Sequence, residues 1–278
     1  MRSKRLWSII FSLLAAGLWS QTVDETVAIG DRFMQMHNYR SAYKYYLRAA
    51  FFAPAGQVGT LYGKLGDASL GAGLYREAVE HYNRAASIEK DDSLRTEWQL
   101  KKVTALALDK RYKLALLELL NYPGPYTPGQ RKARAYLKGL AYYGLEEFDR
   151  AREALLQTIP PSDTLRRQQL EALFTKKNLY RPNPVTAMWL SRFVPGLGQL
   201  YAGDWKNAVN SFALNGLLAY LLIRDAYRYS FMDSFMGIFP WLQRYYMGGY
   251  NNARKIALQK RREKRGRIFR EAYQIIYP

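Results

Sequence analysis

The amino-acid sequence predicts an all-α fold: a helical-hairpin solenoid, followed by a short membrane-embedded helical hairpin and a basic C-terminal tail. Three observations predict this fold class. Aromatic and small residues repeat at a regular interval in the first part of the chain, an apolar and aromatic stretch follows two closely spaced prolines, and basic residues cluster near the end. The 278 residues suffice for one large or two ordinary domains.

The composition restricts the classes of function. Lys and Arg number 42 against 23 Asp and Glu, which leaves a formal net charge of +19. A surplus of this size favours polyanionic partners, either nucleic acid or anionic lipid headgroups. The chain has no cysteine, so disulfides, thiolate zinc sites and cysteine nucleophiles are excluded.

The N-terminal segment, residues 1–20, has the pattern of a secretory signal peptide. Arg2, Lys4 and Arg5 precede an uncharged apolar run at 6–19, and the small residue Ser20 follows it. The run is shorter than the roughly 20 residues that a membrane span needs. The pattern therefore predicts export, with cleavage after Ser20. An uncleaved anchor and a buried helix of a cytosolic protein are the alternatives.

Four strings of the sequence align, at 37–50, 73–86, 110–123 and 146–159. In each string an aromatic residue precedes an alanine by three positions, and a bulky residue follows the alanine by four. The aromatic residues recur at intervals of 36, 37 and 36 residues. The aligned residues are Tyr39, Ala42 and Tyr46; Tyr75, Ala78 and Tyr82; Tyr112, Ala115 and Leu119; Phe148, Ala151 and Leu155.

This pattern resembles the tetratricopeptide repeat, a helix–turn–helix unit of about 34 residues. Gly30, Gly66 and Gly139 supply the small residue that such a unit has on its first helix, and Val103 takes its place in the third unit. The resemblance implies a helical-repeat domain over 24–178, in which 162–178 is a capping or connecting helix. It also implies a concave surface that binds a protein or peptide, and no catalytic residue. The candidate residues of this partner surface are Arg40, Tyr43, Tyr45, Arg76 and His81.

No motif in the sequence predicts an active site. His37 and His81 lie in different repeats, without a companion at metal-ligand spacing. Neither a G-x-S-x-G motif nor a glycine loop ending in Lys-Ser/Thr occurs. We therefore expect no enzyme activity, no catalytic residue, no metal, no cofactor and no small-molecule substrate. The alternative is a membrane enzyme that uses ionisable residues of the hairpin, namely Asp225, Asp233 or Arg244.

A proline-rich linker at 179–186 ends the repeats, and the composition changes beyond it. Residues 208–223 carry no charge, and 231–250 are apolar and aromatic except for Asp233 and Arg244. Tyr and Trp residues crowd the ends of these segments, which is typical of an interfacial aromatic belt. A small, polar stripe, 207, 211, 215 and 219, suits close helix contact. The sequence therefore predicts a membrane-embedded helical hairpin over 187–252, with a buried soluble hairpin as the alternative.

The stretch PGLGQLYAGDW, residues 195–205, has glycines that suit either a phosphate-binding loop or a turn. No predicted strand precedes it and no Lys-Ser/Thr follows the glycines, so the sequence favours a turn between short helices. The stretch resembles a glycine-rich membrane module that follows tetratricopeptide repeats in bacterial envelope proteins, and this resemblance implies no biochemical activity. The motif residues are Pro195, Gly196, Gly198, Gln199, Tyr201 and Gly203.

The C-terminal segment, 253–278, contains nine Lys and Arg against Glu263 and Glu271. A basic block beside a membrane segment predicts contact with anionic lipid and an effect on membrane topology. The block lacks the interleaved aromatic residues that stack on bases, so nucleic acid is not the expected partner. A solvated tail is the other alternative. The residues expected to contact anionic lipid are Lys260, Arg261, Arg262, Lys264, Arg265 and Arg267.

Together these features predict a non-catalytic, membrane-anchored scaffold of the cell envelope, whose repeats lie in the periplasm and bind a partner protein or peptide. The alternative is a structural subunit of an envelope biogenesis or secretion complex, whose hairpin contacts a channel or lipid. The pattern leaves open how often the chain crosses the membrane and on which side the tail lies.

Overall fold

The computed structural model describes residues 22–278, and within this range the chain is all-α, without strands. The chain divides into two compact units, of which the first ends at Thr158 and the second begins at Ile159. The expected signal peptide, 1–20, lies outside the described residues.

The first unit consists of four consecutive helix pairs, and each helix packs on the next one in the chain. The prediction of an all-α chain of consecutively packed helices is therefore confirmed. The helices are α1 (Val23–Gln35), α2 (Tyr39–Phe52), α3 (Ala55–Gly71), α4 (Tyr75–Ile88), α5 (Asp92–Leu108), α6 (Tyr112–Asn121), α7 (Pro128–Gly144) and α8 (Phe148–Leu156).

The turn inside each pair has the same conformation in all four repeats. One residue of the turn has a positive φ, and the N–H of the next residue donates to a carbonyl oxygen five positions earlier, over 2.8–3.0 Å. This bond ends the first helix of each pair in the manner of a Schellman motif. The residues with positive φ are His37 (54°), Gly73 (75°), Lys110 (59°) and Glu146 (64°). The repeat in the sequence is thus a repeat in backbone geometry.

The two helices of each pair contact each other through a small residue and a bulky residue that lie 16 positions apart. A Cβ added to Gly30 would lie 2.5 Å from the ring of Tyr46, and one added to Gly66 would lie 2.5 Å from the ring of Tyr82. Gly139 is equally close to Leu155. The third unit has a larger first residue, Val103, and a smaller partner, Leu119, and both are buried in one cluster. The bulk of this pair is therefore divided more evenly than in the first two units, whereas the fourth unit combines glycine with leucine.

A polar link joins consecutive pairs. The hydroxyl of Tyr46 on α2 donates to Asp31 on α1 over 2.6 Å, and Lys64 on the next pair's α3 reaches the same carboxylate at 2.6 Å. Burial and this carboxylate raise the pKa of Tyr46. The next repeat has the same link: Tyr82 donates to Asp67 over 2.7 Å, and Lys101 lies 3.0 Å from Asp67. Satisfying a buried hydroxyl in this way keeps its desolvation cost low.

The second unit is organised around one long helix. Its helices are α9 (Thr164–Leu173), α10 (Lys176–Tyr180), α11 (Pro184–Phe193), α12 (Leu197–Tyr201), α13 (Trp205–Arg228), α14 (Phe231–Gly237) and α15 (Phe239–Ile276). At 1.5 Å per residue, the 38 residues of α15 extend about 57 Å. Helices α9 to α14 all pack against α15.

The basic segment 253–278 is not a separate tail, because it forms the second half of α15. A stripe of small and aliphatic residues on this half is buried under α9, α10 and α11. Segment 162–178, which the sequence places with the repeats, contains α9 and packs on α15 in the second unit. The buried stripe consists of Ala253, Ala257, Ile268, Ala272 and Ile276.

The segment of the expected hairpin, 187–252, contains most of α11, all of α12 to α14 and the first part of α15. Within residues 22–278, no helix combines the length and the apolar character that a membrane crossing requires. The expectation of a transmembrane helix therefore has no support from the described helices.

Candidate functional site

The glycine-rich stretch forms a tight connection between α11 and α13. Gly196 is the N-cap of α12 with φ +95°, and a Cβ there would overlap the carbonyl oxygen of Ala208 on α13. A Cβ on Gly198 would overlap the carbonyl oxygen of Ala187 on α11. Only glycine permits this conformation and this approach of backbone to backbone. The stretch follows a helix, so it is a turn between helices as the sequence favours.

A chain of buried hydrogen bonds fixes this turn to the long helix α15. The N–H of Gly198 donates to Ser191 Oγ over 2.9 Å, and that hydroxyl donates to Gln199 Oε1 over 2.7 Å. The amide of Gln199 in turn donates to the carbonyl oxygen of Gly249 over 2.9 Å. Ser191 and Gln199 are only 2% and 1% exposed. These four residues, which we call the glutamine node, hold α11, α12 and α15 together, since buried polar groups need their partners.

The other motif residues also have structural roles. The hydroxyl of Tyr201 accepts from the backbone N–H of Asn183 over 3.1 Å. Gly203, with φ +82°, follows α12 and turns the chain into α13. Pro195 lines an apolar cavity of about 270 Å³, whose other wall is α13 with Trp205 and Phe212. The motif therefore builds a scaffold and a shallow apolar cavity.

Two residues of the polar stripe of α13, Ser211 and Asn215, lie against the long helix, whereas Asn207 is exposed. Asn215 is buried and its amide donates to the carbonyl oxygen of Ser211 over 2.7 Å. A Cβ on Gly249 of α15 would lie 3.0 Å from the hydroxyl of Ser211. The stripe therefore permits the close approach of α13 and α15.

Arg192, the charged residue of α11, lies close to two aromatic rings. Its guanidinium lies 4.7 Å from the ring centroid of Trp189 and 4.7 Å from that of Tyr250. The hydroxyl of Tyr246 donates to its backbone carbonyl oxygen. These cation–π contacts stabilise the charge without an acidic partner.

Exposed apolar side chains concentrate on α13, α14 and the first part of α15. Tyr227, at the end of α13, is 89% exposed, and its apolar neighbours are mostly more than half exposed. Large exposed apolar areas mark sites of contact with a protein or a membrane, whereas single exposed residues are normal. We call these exposed side chains together the apolar face; they are Val209, Phe212, Leu217, Tyr220, Ile223 and Tyr227 on α13, Phe231, Met232, Phe235 and Met236 on α14, and Trp241, Tyr245 and Met247 on α15.

The candidate partner residues lie on the second helices of the first two repeats. Arg40 and Arg76 are exposed, and Arg76 lies 3.7 Å from the carboxylate of Asp109. Tyr43 on α2 and His81 on α4 meet, with 3.3 Å between the hydroxyl and Nε2. Burial, followed by the nearby Arg84, lowers the pKa of His81.

Tyr45, the fifth candidate, stacks on Phe33 with 5.3 Å between ring centroids. Of the five candidates, the structure thus brings only Tyr43 and His81 into contact with each other. The two arginines stay on the surface, where a partner can reach them.

The ionisable residues of the enzyme alternative differ in their surroundings. Asp225 lies 2.7 Å from the guanidinium of its neighbour Arg224. Asp233 and Arg244 are exposed, and Asp233 is in the first turn of α14. Residues 22–278 contain no group of three His, Cys, Asp or Glu side chains placed to hold a metal ion.

The basic residues expected at lipid divide into two groups. Lys260, Arg262 and Arg267 are exposed on α15, and Arg261 and Lys264 are half-buried. Arg265 is buried, and its Nε donates to the carbonyl oxygen of Leu179 over 2.8 Å. The expectation for Arg265 is therefore corrected: α10 covers this face of α15, and Arg265 ties the two helices together.

No protein-family model, curated protein or solved structure matches this chain. The class of protein is therefore defined by its geometry alone. The chain has a helical-repeat array and a second helical unit, which combines an exposed apolar face with a basic helix.

Proposed function

We propose that this protein is a non-catalytic scaffold of the cell envelope. In this proposal the apolar face holds it at a membrane, and the repeat array, of the tetratricopeptide type, binds a partner protein or peptide. The observation that carries the proposal is the exposure of the apolar face. Burying one such side chain gains about 1.5–3 kcal/mol, so a face of this size favours a covered state over contact with water.

The distribution of charge along α15 supports a bilayer as the cover. Residues 239–250 are apolar and aromatic apart from Gln243, Arg244 and the glycines, whereas lysines and arginines predominate from Arg254 onward. An apolar part in the lipid and a basic part at the headgroups match the polarity of a membrane surface. Exposed Trp205 and Trp241 have the amphipathic rings that favour this boundary. The face enters the bilayer surface without a helix that crosses it.

The repeat array supports the second half of the proposal. Its four equivalent turns and its small–bulky pairs resemble those of tetratricopeptide repeats, although its intervals of 36 and 37 residues are two or three longer than the usual 34. Arrays of this kind present an extended surface to other polypeptides. Attachment of the array to a membrane raises its effective concentration for partners at the same membrane. The assignment to the periplasm depends on the N-terminal segment, 1–20.

Replacing Leu217, Tyr220 and Ile223 by Gln is expected to weaken the binding of the full-length chain to phosphatidylcholine vesicles by about 100-fold. The three side chains are 54%, 61% and 58% exposed, so the substitutions leave the packing intact. Each removes about 1 kcal/mol of favourable burial in lipid, since part of each side chain is immersed. Flotation of the protein with increasing amounts of vesicles measures the affinity.

The matched control is the replacement of Leu47, Phe51 and Leu120 by Gln. These residues are 50%, 81% and 58% exposed on the repeat unit, and their loss is expected to leave vesicle binding unchanged. The apolar run 6–19 is present in both variants, so its contribution to vesicle binding is the same in both. An equal loss in both variants contradicts the proposal. The protein is instead recovered in a stoichiometric protein complex, which covers the apolar face in the absence of lipid, if the alternative of an assembly subunit is correct.

A further inference from the structure

The second unit contains a basic cleft that is separate from the apolar face. A cavity of about 730 Å³ lies between the middle of α15 and the segment that connects α10 to α11. Pro182 and Ala202 form its apolar wall. The charged residues on the α15 side are Lys260, Arg262, Glu263, Lys264, Arg267 and Arg270, and we call this cavity the basic cleft.

The positive charge of the cleft is only partly balanced by the protein, through Glu263 in its wall and Asp204, which interacts electrostatically with Lys260. Its one acidic wall residue, Glu263, already accepts from Gln259 over 2.9 Å and lies 3.8 Å from Lys260. A neighbouring cavity of about 610 Å³ shares the 181–183 connection and adds Lys176, Lys177 and Arg181. Cations from α10, from the connection and from α15 therefore converge on one region.

This convergence of like charges disfavours the charged form of Lys264. The amino group of Lys264 donates to the carbonyl oxygen of Lys177 over 3.1 Å. Burial lowers the pKa of Lys264, and the charges of Lys177 and Arg267 lower it further. Like charges that are held together in this way favour the binding of an anion between them.

Gly266 keeps the cleft open. Apart from proline, glycine is the least favourable residue in the middle of a helix. Packing does not require it, because a Cβ at this position would have a single neighbour within 4 Å, Arg270 Nη1 at 3.9 Å. A longer side chain would extend into the cleft, so glycine at this position leaves room for a ligand.

We propose that the basic cleft binds a phosphate group with two negative charges, as in a phosphomonoester headgroup or the equivalent free anion. Arginine forks match phosphate oxygens in pairs, and lysines supply point charges around them. The lipid form of this ligand rests on the proposed function, because the cleft then lies along the helix that enters the bilayer surface. The free-anion form does not depend on it.

The test compares two vesicle types with the full-length chain. Phosphatidylcholine vesicles contain either phosphatidic acid or phosphatidylglycerol, adjusted to equal surface potential, so that general electrostatic attraction cancels. The expected result is about fivefold tighter binding to phosphatidic acid, the effect of about one additional charge at the surface. Flotation measures both affinities.

Four variants assign this preference to the cleft. The double substitution Arg267→Gln and Arg270→Gln is expected to abolish the preference. The matched control, Arg254→Gln and Lys255→Gln, removes two exposed charges of the same helix outside the cleft and is expected to keep it. Gly266→Leu places a bulky side chain on the wall of the cleft without any change of charge and is expected to weaken the preference, whereas Gly266→Ala is expected to keep it.

Soluble anions distinguish the two sources of the ligand. Saturable binding of inorganic phosphate or glycerol phosphate without vesicles identifies the free anion, and preference for phosphatidic acid without such binding identifies the headgroup. Both results support the cleft. Equal affinity for the two vesicle types, without binding of soluble phosphate, overturns the proposed phosphate site. A preference for phosphatidic acid that Gly266→Leu leaves unchanged also overturns it. So does tight binding of RNA in the absence of both other results. Failure to bind pure phosphatidylcholine overturns the proposed function but not the cleft.

Discussion

Gly198→Ala is expected to destabilise the second unit by about 3 kcal/mol or more. The added Cβ would overlap the backbone carbonyl oxygen of Ala187 and lie 2.6 Å from Ser191 Oγ. A backbone atom cannot rotate away as a side chain can, so α11 and α12 must separate. The separation breaks the bond from the Gly198 N–H to Ser191 and exposes the glutamine node, which adds to the cost of overpacking. Chemical denaturation followed by helical circular dichroism measures the loss.

The matched control is Gly248→Ala, one residue before the node's Gly249 on α15. A Cβ at this position would meet nothing within 4 Å. Because alanine is a better helix former than glycine, the control is expected to be neutral or to stabilise the unit by up to about 1 kcal/mol. Equal stability of the two variants would show that close contact at Gly198 does not hold the unit together.

The pair Gly66→Val and Tyr82→Leu is expected to show strong coupling in the repeat unit. Gly66→Val alone places methyl groups in the space of the Tyr82 ring and is expected to cost about 3 kcal/mol. Tyr82→Leu alone leaves a cavity and removes the bond to Asp67, at a cost of about 2–3 kcal/mol. The double variant has the residues that the third unit has at Val103 and Leu119, so it is expected to lose about 2 kcal/mol less than the sum.

Thermal and denaturant unfolding of the four proteins measures this coupling free energy. The control cycle combines Tyr82→Leu with Gly56→Val, at a position where an added Cβ meets nothing within 4 Å. The control effects are expected to add. Additive effects in the Gly66 cycle would contradict the view that each small–bulky pair forms one packing unit.

The repeat unit follows closely from its sequence because its contacts are local. In each unit a bulky residue packs with the residue 16 positions earlier, so the regular spacing in the chain becomes regular spacing in space. Val103 was the position that departed from the pattern. Its partner, Leu119, is smaller than the tyrosines of the first two units and is visible in the sequence once the interval of 16 is known.

The second unit is harder to predict because its contacts connect distant residues. The sequence indicates the turn at Gly198 and Gln199, but the partner of Gln199 is the carbonyl oxygen of Gly249, 50 residues further on. Similarly, composition places Arg265 on the surface, whereas Leu179, 86 residues earlier, accepts its hydrogen bond. The spacing of Ala257, Ile268 and Ala272 around Arg265 was the one signal that this face of α15 is covered.

The basic cleft is hard to predict from the sequence for the same reason. Its α15 residues belong to an evident basic block, but Lys176, Lys177 and Arg181 lie some 80 residues earlier and join them only in the folded chain. Charge composition alone predicts attraction to polyanions. The shape that distinguishes one phosphate chemistry from another depends on the fold.

Tryptophan fluorescence in vesicles with brominated acyl chains tests most directly whether the apolar face lies in lipid. Two full-length variants are compared, one that retains only Trp98 and one that retains Trp98 and Trp241, with Phe at the other Trp positions. Trp98 is 7% exposed in the repeat core and Trp241 is 55% exposed on the apolar face. The emission that the second variant has in excess of the first comes from Trp241. The proposed function predicts that bromine quenches this emission and leaves the emission of Trp98 unchanged. Emission of Trp241 that persists while the protein floats with the vesicles would contradict it.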